Sequence, residues 1–335
     1  MIEKDDLYPL IFSPIYKPIV WGGDMLRFHL GRTLPRTDGI PIAESWELSD
    51  RPGDESVVEN GELQGRSINE LINRYGKSLV GELYTPGKRF PLLVKIIDAG
   101  KRLSLQVHPD EIYCRSDKSA EPKTEMWYII AANPNAKIFA GLKPNSTRQQ
   151  FIENINSMEI ENFLQTYNSV PGDAYFISAG RVHAIGAGNL ILEIQQNSNT
   201  TYRISDWGRI GSDGKQRELH VQQALNSIHF MDRTTPRIPG ASDNVFHNRK
   251  FPIINRCPYF KVDELKLVES LIDKTDKSSF TLLTALKNPI KICGIDKQIS
   301  VDLNVGRTAL LPSNFGAYRI DVKENVETTV IKTSL

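Results

Sequence analysis

Two of the six histidines, His108 and His183, stand beside other residues that could share a chemical task with them. His108 ends the run Leu103-Ser-Leu-Gln-Val-His108, where strand alternation puts Leu103, Leu105 and Val107 on one face and Ser104, Gln106 and His108 on the other. Pro109 stops the strand, so Gln106 and His108 lie near its end and roughly 7 Å apart along it. That spacing suits two ligands of one metal; the plain alternative is a half-exposed strand with its polar side in water. In Pro122-Lys-Thr-Glu-Met-Trp-Tyr-Ile-Ile130, Lys123 and Glu125 share a face that continues into Trp127 and Ile129. Glu125 reads either as an inward carboxylate ligand or, with Lys123, as the solvated mouth of a strand. His183 follows the turn at Gly180-Arg-Val and precedes Ala-Ile-Gly-Ala-Gly188, glycines that permit positive φ and close backbone approach. Two histidines, a glutamate and a glutamine on separate strands form a mixed N and O donor set for a divalent ion, with coordination positions left open for catalysis. Two histidines and a carboxylate also make the facial triad of non-haem iron oxygenases, so the ligand types leave zinc and iron both open. His29, His220, His229 and His247 lack such company and read as surface or packing residues.

A further polar row follows. Leu192-Glu-Ile-Gln-Gln-Asn-Ser-Asn-Thr-Thr-Tyr-Arg-Ile-Ser-Asp-Trp207 reads as an amide-rich hairpin with Thr201, Arg203 and Ser205 on one face. Such a row suits a polyhydroxylated or anionic ligand, and Arg203 could clamp a phosphate or a developing oxyanion. An arginine on a strand is more often in a surface ion pair.

These residues must be held by strands. Prolines and glycines are spread along the whole chain, with apolar or alternating runs of four to eight residues between them, the rhythm of short antiparallel strands. The expected class is therefore mainly β, barrel or sandwich, with helices as inserts. One helix opens at the capping-box spacing Ser67-Ile-Asn-Glu70 and carries Leu71, Ile72, Tyr75 and Leu79. A second opens at Ser146-Thr-Arg-Gln149; its pattern breaks around Asn156-Ser157 and resumes at Ile160, Phe163, Leu164 and Tyr167, predicting a helical pair. A third spans Leu219 to Phe230, and the turn-dense stretch Met231 to Asn244 marks the main boundary, dividing 1–235 from 236–335. An echo links Gly172-x5-Ser-Ala-Gly-Arg-Val-His183 with Gly306-x5-Pro-Ser-Asn-Phe-Gly-Ala317, which suggests a duplicated fold whose second copy lacks the histidine.

Composition narrows the function classes. The chain has 335 residues, and 41 basic against 40 acidic side chains leave +1, with both signs interspersed, so nucleic acid is not an expected partner. Apolar runs such as Phe90 to Ile97 fall short of the ~20 residues of a membrane helix, and Met1-Ile-Glu-Lys-Asp-Asp6 has no signal-peptide core, so a cytoplasmic protein without membrane contact is expected. Three widely spaced cysteines imply neither a disulfide framework nor a zinc knuckle. No obligate protein partner is evident.

Read together, Trp21-Gly-Gly23, Glu44-Ser-Trp-Glu-Leu-Ser49, Pro91-Leu-Leu-Val-Lys-Ile-Ile-Asp-Ala-Gly100, Ser104-Leu-Gln-Val-His-Pro-Asp110, Lys123-Thr-Glu125, Gly180-Arg-Val-His-Ala-Ile-Gly186 and Leu192 to Arg203 run in the order found in one family. The chain resembles the class I mannose-6-phosphate isomerases, in their shorter bacterial form, within the cupin superfamily. The resemblance covers roughly the first 210 residues and is only fold-level beyond them. It implies two cupin barrels with helical inserts, catalytic over 1–235 and degenerate, without a metal site, over 236–335. It implies one Zn2+ per chain held by Gln106, His108, Glu125 and His183, active-site roles for Arg203 and Lys123, and Ser104 and Glu193 as substrate-binding residues. The implied substrate is a sugar phosphate, interconverted between mannose 6-phosphate and fructose 6-phosphate through an enediol. The chain lacks the helical insertion of longer relatives, and the Lys-Pro-Glu of many relatives is Lys123-Thr-Glu125 here. An iron-dependent cupin dioxygenase would give no reason for the Lys123 and Arg203 matches. A non-catalytic sugar-sensing cupin would be expected to have lost a ligand or the arginine, and all are present.

Overall fold

The computed structural model describes residues 3–155, 157–211, 214–240 and 246–335, so Asn156 and residues 241–244 of the turn-dense stretch lie outside the described residues. The chain is mainly β, with short helices between strands, and no helix among the described residues is long and apolar enough to cross a membrane. Contacts divide it into two compact units, each assembled from separated stretches. One comprises Tyr16–Ser45 and Lys95–Gly240, the other Met1–Ile15, Trp46–Val94 and Ala241–Leu335. These units differ from a linear division at 235/236: residues 1–15 and 46–94 group with the C-terminal ones, and residues 236–240 group with the first unit. The physical reason is strand pairing: Leu10–Ile11 forms the edge of a C-terminal sheet, with Leu10 opposite Leu310. A two-residue strand has no periodicity to read.

The first unit holds most of two sheets. One runs in the order Leu164–Asn168, Lys137–Leu142, His183–Ile185, Leu105–Val107, Tyr202–Ser205; the other in the order Arg237–Ile238, Ala174–Ile177, Glu125–Ala132, Asn189–Gln196, Leu92–Ala99, Ile42–Leu48, Ile15–Pro18. Alternation gives the five-stranded sheet two different faces. Leu105, Val107, Phe139, Val182, Ala184, Tyr202 and Ile204 pack against Phe151, Ile155, Ile160, Ala224 and Ile228 of the helical inserts. Ile138, Ala140 and Ile185 face the other way, into a cluster with Trp127, Ile129, Ile177 and Ile191 of the seven-stranded sheet. Leu103 joins this second cluster rather than that of Leu105 and Val107, because the paired strand opens at Leu105 and the predicted alternation holds only from there.

Ser67 caps the helix Ile68–Tyr75 with both capping-box hydrogen bonds; Gly76, at φ 49°, breaks it before the short helix that carries Leu79. The second helix starts one residue later than its sequence signal, with Thr147 and Gln150 forming the box around Arg148–Asn154. Its expected partner is a 3-10 segment, Met158–Phe163, and Leu164 and Tyr167 already belong to a strand. The third helix is Val221–Ser227.

Besides the two-stranded ribbon of Asp50–Arg51 and Asp54–Glu55, the second unit contains two sheets, in the orders Leu10–Ile11, Thr308–Leu311, Thr281–Lys287, Thr328–Ser334, Lys261–Leu267, Arg249–Ile254 and Leu271–Lys274, Ala317–Asp321, Ile290–Gly294, Ser300–Leu303. Its core includes Leu265, Leu283, Ala285, Ile292, Leu311, Tyr318, Ile320 and Val330. None of these four sheets closes on itself among the described residues. Gly172 and Gly306 hold equivalent places, at φ 94° and 78°. Gly172 donates to the carbonyl of Ile129, whose N–H donates to Asp173; Gly306 donates to Ala285, whose N–H donates to Arg307.

Candidate active site

Strand order brings the sequence-distant residues together. His183 lies opposite both Gln106 and Ala140, and Arg203 lies opposite Gln106, so His183, Gln106 and Arg203 form a row across the five-stranded sheet. Glu125 opens its strand between Ile177 and Gln195 of the seven-stranded sheet. The turn before His183 is tied to the end of the Gln106 strand, with Gly180 N donating to His108 O at 2.8 Å. Gly180 has φ 83°, and a Cβ there would stand 2.5 Å from His229 Cγ, so both conformation and space call for glycine.

His108, Glu125 and His183 are at most 1% exposed. One donor atom from each lies within 4.8 Å of the others, the one such group found among the described residues. Each histidine has a fixed proton. Nδ1 of His108 is 2.9 Å from the Thr200 carbonyl, and Nδ1 of His183 is 2.9 Å from the Arg181 carbonyl. A carbonyl only accepts, so each Nδ1 carries the hydrogen and each Nε2 keeps its lone pair. Those Nε2 atoms lie 3.4 Å and 3.5 Å from the Glu125 carboxylate oxygens.

The electrostatics agree with that proton inventory. Burial, and then the Lys123 charge, pushes His108 down to about 4; burial likewise lowers His183. Burial alone would raise Glu125, but its neighbours, Lys123 foremost, hold it well below the ordinary carboxylate range. At neutral pH the group is therefore two neutral imidazoles and one carboxylate. Glu125 Oε1 is buried and has no hydrogen-bond partner among the described residues, a costly state for an anionic oxygen unless a cation serves it. Two Nε2 lone pairs converging on such a carboxylate fit a divalent metal. Gln106 donates from Nε2 to His183 Nε2 at 3.1 Å, while its amide oxygen accepts the Ser104 hydroxyl at 3.3 Å. Rotation of the amide would present the oxygen to the same point.

Gln106 and Lys123 separate this group from a cavity of about 330 Å³, also lined by Glu44, Lys95, Ser104, Glu193, Thr201, Arg203 and Arg217. Clefts of about 940 and 840 Å³ elsewhere hold no such group, so chemistry rather than volume marks the site. The Lys123 ammonium stands 2.6 Å from Glu125 Oε2, 3.2 Å from His108 Nε2 and 4.0 Å from Glu193 Oε1. Glu193 accepts the Trp127 indole N–H at 2.9 Å and pairs with Lys95 at 3.2 Å. Burial opposes charge on Lys95, yet Glu193, Glu44 and Glu125 outweigh it and raise its pKa.

All eight residues singled out from the sequence thus meet at this cavity or directly behind it. The row Thr201, Arg203, Ser205 is only partly there: Thr201 and Arg203 line the cavity, whereas a register shift between Arg203 and Ser205 turns Ser205 elsewhere. Lys95, Glu44 and Arg217 were missed. Lys95 did leave a signal, a lone charge inside the apolar run Phe90 to Ile97.

The profile of the phosphomannose isomerase type I catalytic domain matches residues 10–128. Mannose-6-phosphate isomerase ManA of Bacillus subtilis is 34% identical over 318 residues, covering 93% of this chain and 96% of that protein. The mannose-6-phosphate isomerase of Streptococcus mutans is 36% identical over 221 residues, 66% of this chain and 67% of that protein. Among solved structures, the mannose 6-phosphate isomerase of Bacillus subtilis superposes with a TM-score of 0.84 at 29% identity, covering 98% of this chain and all of the other. The Salmonella typhimurium enzyme, at 14% identity and a TM-score of 0.77, shares the fold. Identity at this level along nearly the full length of both chains places the protein in the type I phosphomannose isomerase family.

Proposed function

We propose that this protein is a metal-dependent isomerase interconverting mannose 6-phosphate and fructose 6-phosphate, with one Zn2+ per chain held by His108, Glu125, His183 and Gln106. The observation that carries the reading is the convergence of two neutral histidine Nε2 atoms and an ionised carboxylate behind a cavity lined by Lys123, Glu193 and Arg203. Aldose-to-ketose isomerisation moves a proton from C2 to C1 through an enediol whose oxygens carry developing negative charge. When bound, zinc supplies a Lewis acid at those oxygens. Arg203 adds a fixed positive charge on the cavity wall for the same oxyanion. Ser104 and Glu193 orient the sugar phosphate. We assign the proton transfer to Lys123 and Glu193, whose charged groups stand 4.0 Å apart at the cavity wall.

The same reading takes the paired sheets of each unit as a cupin. The unit with the triad is catalytic; the other, to which residues 236–335 contribute most strands, has no metal-binding group among the described residues. We further read the protein as a cytoplasmic enzyme acting without an obligate protein partner. The test is a coupled assay of mannose 6-phosphate conversion before chelation, after chelation and after zinc is added back. Turnover should vanish and return. Folded, zinc-loaded protein with no turnover would overturn the reading.

A further inference from the structure

Arg203 lies on Tyr202–Ser205, the edge strand of its sheet, and its backbone is not left to that edge. The backbone N–H of His220 donates to the Arg203 carbonyl at 2.8 Å, and the Arg203 N–H donates to His220 Nδ1 at 3.3 Å. One residue thus takes both main-chain polar groups of Arg203. The same short segment also holds the side chain: Arg203 Nη1 donates to the Glu218 carbonyl at 2.7 Å. Nε of Arg203 is buried and has no hydrogen-bond partner among the described residues. The segment is itself anchored, because the His220 carbonyl accepts the N–H of Ala224 in the first turn of Val221–Ser227, a helix that packs through Ala224 on the sheet. The His220 ring stands 6.2 Å from that of Tyr202, whose own side chain packs on the strand face opposite the cavity.

We infer that His220 is a positioning residue for Arg203, setting the height and direction of its guanidinium in the cavity while touching no substrate itself. This rests on the role given to Arg203 above. Edge strands are free to shift on their outer side, where no further strand pairs, and an arginine aimed at a developing charge loses much of its effect when displaced by about 1 Å. The Nδ1 lone pair, not the ring's bulk, is what the geometry uses. Asparagine can offer an acceptor in a similar place; alanine and phenylalanine cannot.

The test measures kcat and KM for mannose 6-phosphate on zinc-loaded protein carrying His220→Ala, His220→Phe, His220→Asn, Arg203→Ala, or His220→Ala with Arg203→Ala. Expected are a fall in kcat of about 10- to 100-fold for His220→Ala and His220→Phe with KM within about threefold. His220→Asn should restore kcat to within about threefold of the parent. In the Arg203→Ala background, His220→Ala should cost nothing more, since its effect runs through the missing side chain. Zinc content and Tm should match across the set, which separates mispositioning from misfolding. A full additional loss in the Arg203→Ala background, or His220→Asn as impaired as His220→Ala, would overturn the proposal. So would an unimpaired His220→Phe beside a crippled Arg203→Ala, which would leave the role of Arg203 standing. An unimpaired Arg203→Ala would remove both.

Discussion

The strands around Gly172 and those around Gly306 share their hydrogen bonding and differ in what they carry. Ile129 and Ala285 hold the same place against the paired glycine turn. Counting back along each strand, Glu125 then corresponds to Thr281 and Trp127 to Leu283, and the cross-strand partners agree: Glu125 faces Ile177 as Thr281 faces Leu311. His183 corresponds to Ala317, each eleven residues beyond its glycine. Gln106 faces His183 where Lys274 faces Ala317, and Glu193 faces Trp127 where Lys332 faces Leu283. The ladder tolerates the exchange of each of these side chains because backbone pairing and apolar alternation specify it, and neither reads the inward polar set. Function here is a handful of side chains placed on a frame that forms without them.

Carrying one residue of the second region into the first is the most severe test of that comparison. Glu125→Thr should keep the ladder yet remove the carboxylate that both histidines and Lys123 address. Losing an outer partner of a metal ligand already costs 10- to 100-fold, so losing the ligand itself should lower kcat/KM by more than about 100-fold and leave zinc substoichiometric after dialysis. Elemental analysis and the coupled assay check it. Retention of zinc and turnover would mean that the difference between the two regions lies elsewhere than in these side chains.

How much of this was legible in the sequence follows from the range of each signal. Gln106 with His108, and Lys123 with Glu125, share strand faces within a few residues, and alternation exposes such pairs directly. Glu44 and Lys95 reach the cavity only because Leu92–Ala99 lies between Asn189–Gln196 and Ile42–Leu48, and sheet order of that kind has no local trace. Leu164 and Tyr167 fit a helical period and a strand equally well over so short a run, and pairing with Lys137–Leu142 decided for the strand. The amide-rich stretch departs from its reading in another way: no hairpin forms, because Asn189–Gln196 and Tyr202–Ser205 lie in different sheets. Gln195 donates to the carbonyls of Gln196 and Ser198, and Gln196 Oε1 accepts the N–H of Thr124, so these two amides lace the turn to the segment before Glu125–Ala132, while Asn199 lines the cavity. His220 carried no signal, because its partner is the backbone of a residue seventeen positions away.

Charge is handled differently in the two regions as well, and pH sharpens that contrast. Asp98, 1% exposed, accepts the Leu26 N–H at 2.9 Å through Oδ2, while Oδ1 has no hydrogen-bond partner among the described residues, and burial raises it to about 6. In the second unit, burial alone would also raise Asp273, but Lys332 and the Tyr318 hydroxyl overcome it and hold the acid low. The two acids therefore give stability of opposite slope. Between about pH 4 and 6 the folded state binds the Asp98 proton that the unfolded state has released, so this group's stabilisation is lost as pH rises, by on the order of 3 kcal/mol for a shift of about two units. Asp273 contributes above its unfolded value and loses that contribution as pH falls through its lower folded value. Urea unfolding of Asp98→Asn and Asp273→Asn beside the parent checks both. Relative to the parent, Asp98→Asn should gain stability from pH 4 to 7, and Asp273→Asn should be weaker at pH 7 than at pH 3. Parallel curves would remove the contrast.

The smallest effect belongs to a pair that only the second region possesses. Thr284 and Thr308 face each other, 2% exposed, with hydroxyls 2.9 Å apart, where the first region has Tyr128 opposite Ala174. If the second set of strands serves stability alone, that hydrogen bond should matter to unfolding and not to catalysis. Thr284→Val leaves the Thr308 hydroxyl buried without its partner and should cost about 1 to 2 kcal/mol, with kcat/KM unchanged. Adding Thr308→Val removes the stranded hydroxyl as well, and most of the loss should return, because two methyl groups of nearly the same shape then fill the space that the pair occupied. A double variant less stable than the single one would show that the hydroxyl pair is worth more than its burial costs. The second region would then depend on a specific polar contact of its own.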